Sequence, residues 1–205
     1  MSDVSSGPGG RDLSAAGEIW LMRHGETEWS RSGAHTGRTD LPLTAAGRER
    51  AARMAPLLEG AGFALVLTSP LERARETCRL AGLGDAAQIE PALREWDYGD
   101  FEGRTTADIR RELPGWSLWK DGPRNGETMA QVAARADAVI ARAAGAAGNV
   151  ALFAHGHILR ILAARWLGLE PWAGSLFALG TASISVLGYE RTTRVISRWN
   201  LSVSA

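Results

Sequence analysis

Four separated segments of this chain carry side chains able to hold an anion or attack one. Arg23-His24-Gly25-Glu26 places a cation and an imidazole side by side, Arg73 follows Ser69-Pro70-Leu71-Glu72, Glu95 opens a turn-rich stretch, and His155-Gly156-His157 supplies two more imidazoles. Arginine is a planar, permanently charged fork suited to phosphate or carboxylate oxygens. A neutral imidazole nitrogen is a competent nucleophile near neutral pH. Taken alone, each segment has a plainer reading. Arg23-His24-Gly25 reads as a strand-end turn with solvated charges, and Arg73 as a solvated helix residue like Arg75 and Arg79. His155-Gly156-His157 also suggests two metal ligands, but no His-x-x-x-His or cysteine pair accompanies it, which argues against a metal.

The elements that must position these groups are legible. Ile19–Met22, Phe63–Thr68 and Asn149–Ala154 are short apolar runs bounded by turn residues, the pattern of buried strands. Each ends just before one of the charged segments, and open α/β sheets bind ligands beyond the carboxyl ends of their strands. Helices are predicted over Thr44–Leu58, with Thr44 as N-cap, over Thr106–Leu113, Thr128–Ala144 and Ile158–Leu167. Another starts at Ser69 as N-cap, with Pro70 at the first helical position and Glu72 three residues after the cap. Ile89–Leu93 reads as a short strand that Pro91 confines to an edge or an end. Residues 94–126 are turn-rich, and Leu176–Leu201 reads as two or three strands. Strands alternating with helices predict a three-layer α/β/α sandwich whose sheet is mostly parallel, with an antiparallel C-terminal edge.

Bulk properties narrow the function classes. A chain of 205 residues fits one domain, here 18–205 behind a flexible N-terminal tail over 1–17. Its 23 basic and 23 acidic residues cancel, which argues against nucleic acid or an anionic membrane as the main partner. No apolar stretch is long enough to span a membrane. The single cysteine, Cys78, cannot form an internal disulfide and reads as a buried structural thiol, which suits a cytoplasmic location.

Taken together, the segments resemble the histidine phosphatase superfamily, also called phosphoglycerate-mutase-like. The matching stretches are Leu21–Trp29, Thr36–Thr44, Thr68–Thr77, Leu93–Gly103, Asn125–Thr128 and Phe153–Arg160, in family order. The resemblance implies that His24 accepts the phosphoryl group, that Arg23, Arg73 and His155 clamp its oxygens, and that Glu95 protonates the leaving oxygen and then activates water. A phosphoryl transition state spreads negative charge over three equatorial oxygens, so such a clamp suits it. Arg73 would also sit in the first turn of its helix, where the dipole favours an anion. Glu26 and Glu28 are expected to orient the loop by hydrogen bonds, and Asp97 and Glu102 to be solvated or structural.

Among members, Glu95-Trp-Asp-Tyr-Gly-Asp-Phe-Glu-Gly103, Trp119-Lys-Asp-Gly with Asn125-Gly-Glu-Thr, and His155-Gly-His-Ile-Leu-Arg160 are similar to sedoheptulose-1,7-bisphosphatase-like and broad-specificity acid phosphatases. That implies a metal-independent, cofactor-free phosphomonoesterase acting on a small phosphorylated metabolite, a sugar phosphate or bisphosphate. Ser30, His35, Thr36, Gly37, Tyr98, Gly156 and Arg160 would join Arg23, Arg73, Glu95 and His155 around the substrate. His35 stands where an aromatic hydroxyl is common, and Arg160 reads either as a helix surface residue or as a second-phosphate contact. Trp116 and Trp119 either line the pocket mouth or pack the insertion down, and Thr181-Ala-Ser183 is placed to line the pocket. The short segment 103–125 lacks a mutase's lysine-bearing insertion, so an open site that admits water is expected. The remaining alternatives are a phosphoglycerate mutase with a bisphosphoglycerate primer and a catalytically silent binding module. A slightly acidic optimum is expected if Glu95 must be protonated for the first step. Assembly as a homodimer is also expected.

Overall fold

The computed structural model describes residues 17–202. The predicted tail therefore lies outside the described residues except for Gly17. Six strands form one sheet: β1 (Ile19–Arg23), β2 (Phe63–Thr68), β3 (Ala87–Ile89), β4 (Asn149–Ala154), β5 (Ser183–Glu190) and β6 (Thr193–Ser202). Their spatial order is β3-β2-β4-β1-β5-β6. The first four run parallel, while β5 pairs antiparallel with both β1 and β6. This is the predicted sandwich with its antiparallel edge.

The strand period of two explains the layering. Ile19 and Leu21 face one core with Leu67 and Leu152, covered by α7 (Met129–Ala144) and α8 (Gly156–Trp166). Trp20 and Met22 face the other core with Val66 and Phe153, covered by residues of α3 (Ala55–Leu58) and α4 (Glu72–Leu80). Cys78 lies in this second core, and burial pushes its thiol up to about 12. A strand buried on both faces must be apolar at every position, which is why these strands read as continuous runs. Among the described residues, no helix is long and apolar enough to cross a membrane.

The sheet sets the site. In β1, β2 and β4 the carboxyl ends are Arg23, Thr68 and Ala154, so His24, Ser69 and His155 emerge at one edge. The His24 amide donates to the Ala154 carbonyl at 3.0 Å and the Ser69 amide to Phe153 at 2.9 Å, tying the three exits together.

Three boundaries differ from the sequence reading. The expected helix over 44–58 is two, α2 (Ala45–Ala52) and α3, because the chain breaks at Arg53-Met54 and Pro56 sits at the start of the second. Ser69 is not the N-cap: α4 begins after Leu71, and the Ser69 hydroxyl faces His155 at 2.8 Å while accepting from the Leu71 amide at 3.3 Å. Ile89–Leu93 is the end of edge strand β3 followed by a 3-10 turn over Pro91–Leu93. The cap at Thr44 is as expected, its hydroxyl accepting from the Gly47 amide. Two short helices escaped the sequence reading, α1 (Glu28–Ser32) and α6 (Leu118–Asp121), and α5 (Thr106–Glu112) lies where predicted.

Candidate active site

His24 leaves β1 with its ring buried. Its Nδ1 lies 2.7 Å from the Gly25 carbonyl oxygen. A carbonyl only accepts, so Nδ1 carries the proton and Nε2 keeps the lone pair. Burial, then the charges of Arg73 and Arg23, hold this imidazole well below its usual pKa, so it stays neutral. Gly25 is required here: a Cβ on it would stand 2.5 Å from the Gly47 carbonyl oxygen of α2.

Arg73 and His155 stand behind His24, both fully buried. The His24 and His155 rings lie 5.1 Å apart. Arg73 Nε donates to His155 Nδ1 at 3.1 Å, which places the His155 proton on Nε2, facing the Ser69 hydroxyl at 2.8 Å. The rest of the Arg73 fork donates to the carbonyls of Thr39, Thr36 and Gly37 at 2.9, 3.1 and 3.1 Å. That loop is shaped in turn by Glu102, whose carboxylate accepts from the Gly37 and Thr39 amides. Burial and the adjacent Arg73 charge hold His155 well below its usual pKa.

Arg23 is the open cation. It donates to the Leu179 carbonyl through Nη1, while its Nε is buried with no protein partner. Glu95 faces the same space, almost fully buried. Its Oε1 accepts from the amides of Trp96 and Ile158 at 2.9 and 3.0 Å, and its Oε2 from the His157 amide at 2.9 Å. Burial by itself raises this carboxyl, but the side chain, charge and amide of His157 and the charge of His155 outweigh it and hold Glu95 well below the usual carboxylate range. Glu95 therefore does not stand protonated in the empty site. The His157 side chain, in the first turn of α8 and distant in the chain, is the first reason, followed by the His155 charge and the His157 amide.

A pocket of about 260 Å³ opens over these groups, lined by Arg23, His24, Glu95, Tyr98, His157 and Arg160 among others. A larger groove of about 670 Å³ beside α4 and β3 contains none of them. All four histidines of the chain meet in this one region: the His35 ring stacks on Tyr98 at 4.8 Å and lies 6.3 Å from His157.

The family profile described as the histidine phosphatase superfamily (branch 1) matches residues 19–202. The chain belongs to that superfamily. It is 41% identical over 183 residues to an acid phosphatase of Mycobacterium tuberculosis, covering 87% of this chain and 90% of that one. It is 39% identical over 182 residues to the sedoheptulose 1,7-bisphosphatase of Saccharomyces cerevisiae, covering 73% and 67%. Its fold matches that of a mycobacterial glucosyl-3-phosphoglycerate phosphatase complexed with VO3 at a TM-score of 0.82, with 29% identity and coverage of 91% and 100%.

In this histidine phosphatase the structure gathers Arg23, His24, Arg73, Glu95 and His155, but only Arg23, His24 and Glu95 line the pocket. Of the expected substrate contacts, Ser30, His35, Thr36, Tyr98, Gly156 and Arg160 do so as well. Gly37 does not; its backbone is turned to Arg73 and Glu102. Ser30 is shared with the α1 cap, its hydroxyl accepting from the Thr27 amide at 2.8 Å. Arg160 is no surface residue: Nε and Nη2 donate to the carbonyls of Gly174 and Ser175, and the guanidinium lies 4.6 Å from the Trp119 ring centre. Trp116 and Trp119 pack behind His35 and His157 at 5.7 and 5.3 Å rather than lining the mouth. Leu179, not Thr181–Ser183, supplies the lining from the C-terminal segment. Glu26 orients the loop by accepting from the Thr44 hydroxyl, whereas Glu28 pairs with Arg31 at the surface. Asp97 pairs with Arg38, and Glu102 is structural. Ser69 was given no site role in the sequence, and His157 was singled out with His155 but assigned no place in the pocket that it lines.

Proposed function

We propose that this chain hydrolyses phosphomonoesters of small metabolites through a phosphohistidine at His24. The observation that carries the reading is the His24 tautomer: Nδ1 is spent on the Gly25 carbonyl, leaving a neutral Nε2 lone pair in a cation-lined pocket. In the first step that lone pair forms the N–P bond as the P–O bond to the leaving group breaks. Arg23, with its unpartnered Nε, takes up the oxygens' developing charge directly, and Arg73 and His155 act from behind His24. Glu95 gives the leaving oxygen its proton. A bound phosphoryl dianion makes the carboxyl easier to protonate, because like charges at close range disfavour ionisation. In the second step a water attacks phosphorus, its proton passes to Glu95, and the N–P bond breaks.

A pocket of about 260 Å³ lies below the usual ~300–1,000 Å³ of ligand sites, which favours a compact substrate. Relatives named for sedoheptulose 1,7-bisphosphate and glucosyl-3-phosphoglycerate support a phosphorylated sugar or sugar acid. The test is phosphate release over sugar phosphates, sugar bisphosphates, phosphoglycerates and nucleotides, with 3-phosphoglycerate assayed with and without a bisphosphoglycerate primer. Hydrolysis of sugar phosphates, abolished in His24→Ala, is expected. Primer-dependent transfer exceeding hydrolysis would make the chain a mutase instead. His24→Ala at wild-type activity would sink the mechanism.

A further inference from the structure

Glu95 must give a proton in the first step, yet the side chain and charge of His157, the charge of His155 and the His157 amide hold it as a carboxylate in the empty site. The proton therefore has to be stored beside it. His157 is the group so placed. Its Nδ1 lies 3.7 Å from Glu95 Oε2 and 2.7 Å from the Tyr98 hydroxyl, and its own amide fixes the same Glu95 oxygen at 2.9 Å. The ring is packed by Trp119 at 5.3 Å, Tyr98 at 5.7 Å and Trp96 at 6.3 Å, so it is steered rather than free.

We propose that His157 is a relay residue that lends Glu95 its acid proton, with the Tyr98 hydroxyl holding the ring in reach. This rests on the reading of Glu95 as the acid and base. When substrate binds, the proton moves from His157 Nδ1 to Glu95 Oε2 and on to the leaving oxygen as the P–O bond breaks and the His24 N–P bond forms. Water then attacks phosphorus as the His24 N–P bond breaks, and its proton returns through Glu95 to His157. The sum is one phosphomonoester and one water to one alcohol and one phosphate. A short rotation of the ring about its side-chain bonds closes the 3.7 Å gap while Tyr98 releases it. The other charged or titratable groups facing the pair are Arg23, His24, Arg73, Arg160, His35, His155 and the Tyr98 phenol. Burial and Glu95 raise Tyr98 well above its usual pKa, so it remains a neutral hydroxyl. Burial and the His157 charge bring His35 down to about 4, so it does not compete for the proton.

His157→Gln tests this, because it keeps the backbone amide on Glu95 and a side chain that reaches Tyr98 but cannot titrate. An alkyl phosphate needs its leaving oxygen protonated, whereas an aryl phosphate with an acidic phenol needs it far less. The variant should lose on the order of 100-fold in kcat on an alkyl phosphate, the scale of general acid catalysis, and much less on the aryl one. The alkaline limb of its alkyl profile should move to lower pH. Equal losses on both substrates, or none on either, would overturn the relay. Nitrogen NMR of the wild-type chain gives a readout independent of any variant: the His157 imidazole should carry both ring protons under the conditions where the alkyl phosphate is turned over. A ring that stays neutral under those conditions also overturns it. Glu95→Gln separates the layers: if it keeps wild-type activity on the alkyl phosphate, the reading of Glu95 has failed. If it is inactive while His157→Gln is normal, only the relay has failed.

Discussion

Replacing each of the two site arginines by lysine should give two different phenotypes, because the protein uses them differently. Arg73 makes four hydrogen bonds, to His155 Nδ1 and to the carbonyls of Thr39, Thr36 and Gly37. A lysine nitrogen placed where Nη2 stands keeps the Thr36 and Gly37 carbonyls. It leaves His155 Nδ1 and the Thr39 carbonyl unmet. Each unmet buried group costs about 1–3 kcal/mol, so Arg73→Lys should lose about 2–6 kcal/mol. That is a large share of the ~5–15 kcal/mol that holds a domain folded. Arg23 makes one protein bond, to the Leu179 carbonyl, and its Nε makes none. Arg23→Lys should therefore lose no more than about 1 kcal/mol. Arg23→Lys should fall ~10²–10³ in kcat, the usual cost of one donor to a developing oxyanion, whereas Arg73→Lys should lose activity through the His155 and loop contacts it gives up. Urea unfolding at pH 7 and turnover of an aryl phosphate measure the two quantities. An Arg73→Lys midpoint equal to wild type, or equal stability losses in both variants, would refute the division of labour.

Other outcomes follow from the same contacts. Glu102→Ala frees the Gly37 and Thr39 amides, so kcat should fall and hydrogen exchange at those amides should rise; unchanged exchange would contradict its role. Gly25→Ala forces a Cβ to within 2.5 Å of the Gly47 carbonyl and should displace His24, costing about 100-fold in activity. Stability should fall as pH drops below about 6.5, because the unfolded chain then takes up protons that buried His24, His155 and His35 refuse. His35 alone, lowered from 6.5 to about 4, accounts for about 3 kcal/mol once pH reaches the folded value. Glu95 acts in the same direction further down, its contribution present above the unfolded carboxylate value and lost as pH falls through its lower folded one. His35→Gln should flatten the loss between pH 7 and 5, and equal slopes would contradict this. Arg160→Ala should weaken sugar bisphosphates more than monophosphates; equal weakening would leave Arg160 only its anchoring of Gly174 and Ser175.

The strands and the edge where they converge were legible because a strand buried on both faces has to be apolar throughout. The helix grammar at Ser69 placed the start of α4 too early: the hydroxyl serves the extended Leu71 amide and His155 together, and the helix begins only at Glu72. The break at Arg53-Met54 left a sign, Pro56, that the periodicity of the run concealed. The protonation of Glu95 had no local sign, since it depends on the His157 side chain and amide and on the His155 charge, brought to it from the start of α8. The place of Arg160 depends likewise on the 3-10 turn over Pro171–Leu176 coming back against α8.

The most direct test of the account is to find where the phosphoryl group goes. The enzyme is mixed with an aryl phosphate, quenched at alkaline pH and digested, and the peptides are read by mass spectrometry. The account predicts one phosphoryl group, on His24, absent from His24→Ala. A phosphoryl group on any other residue, or rapid turnover in His24→Ala, would contradict it.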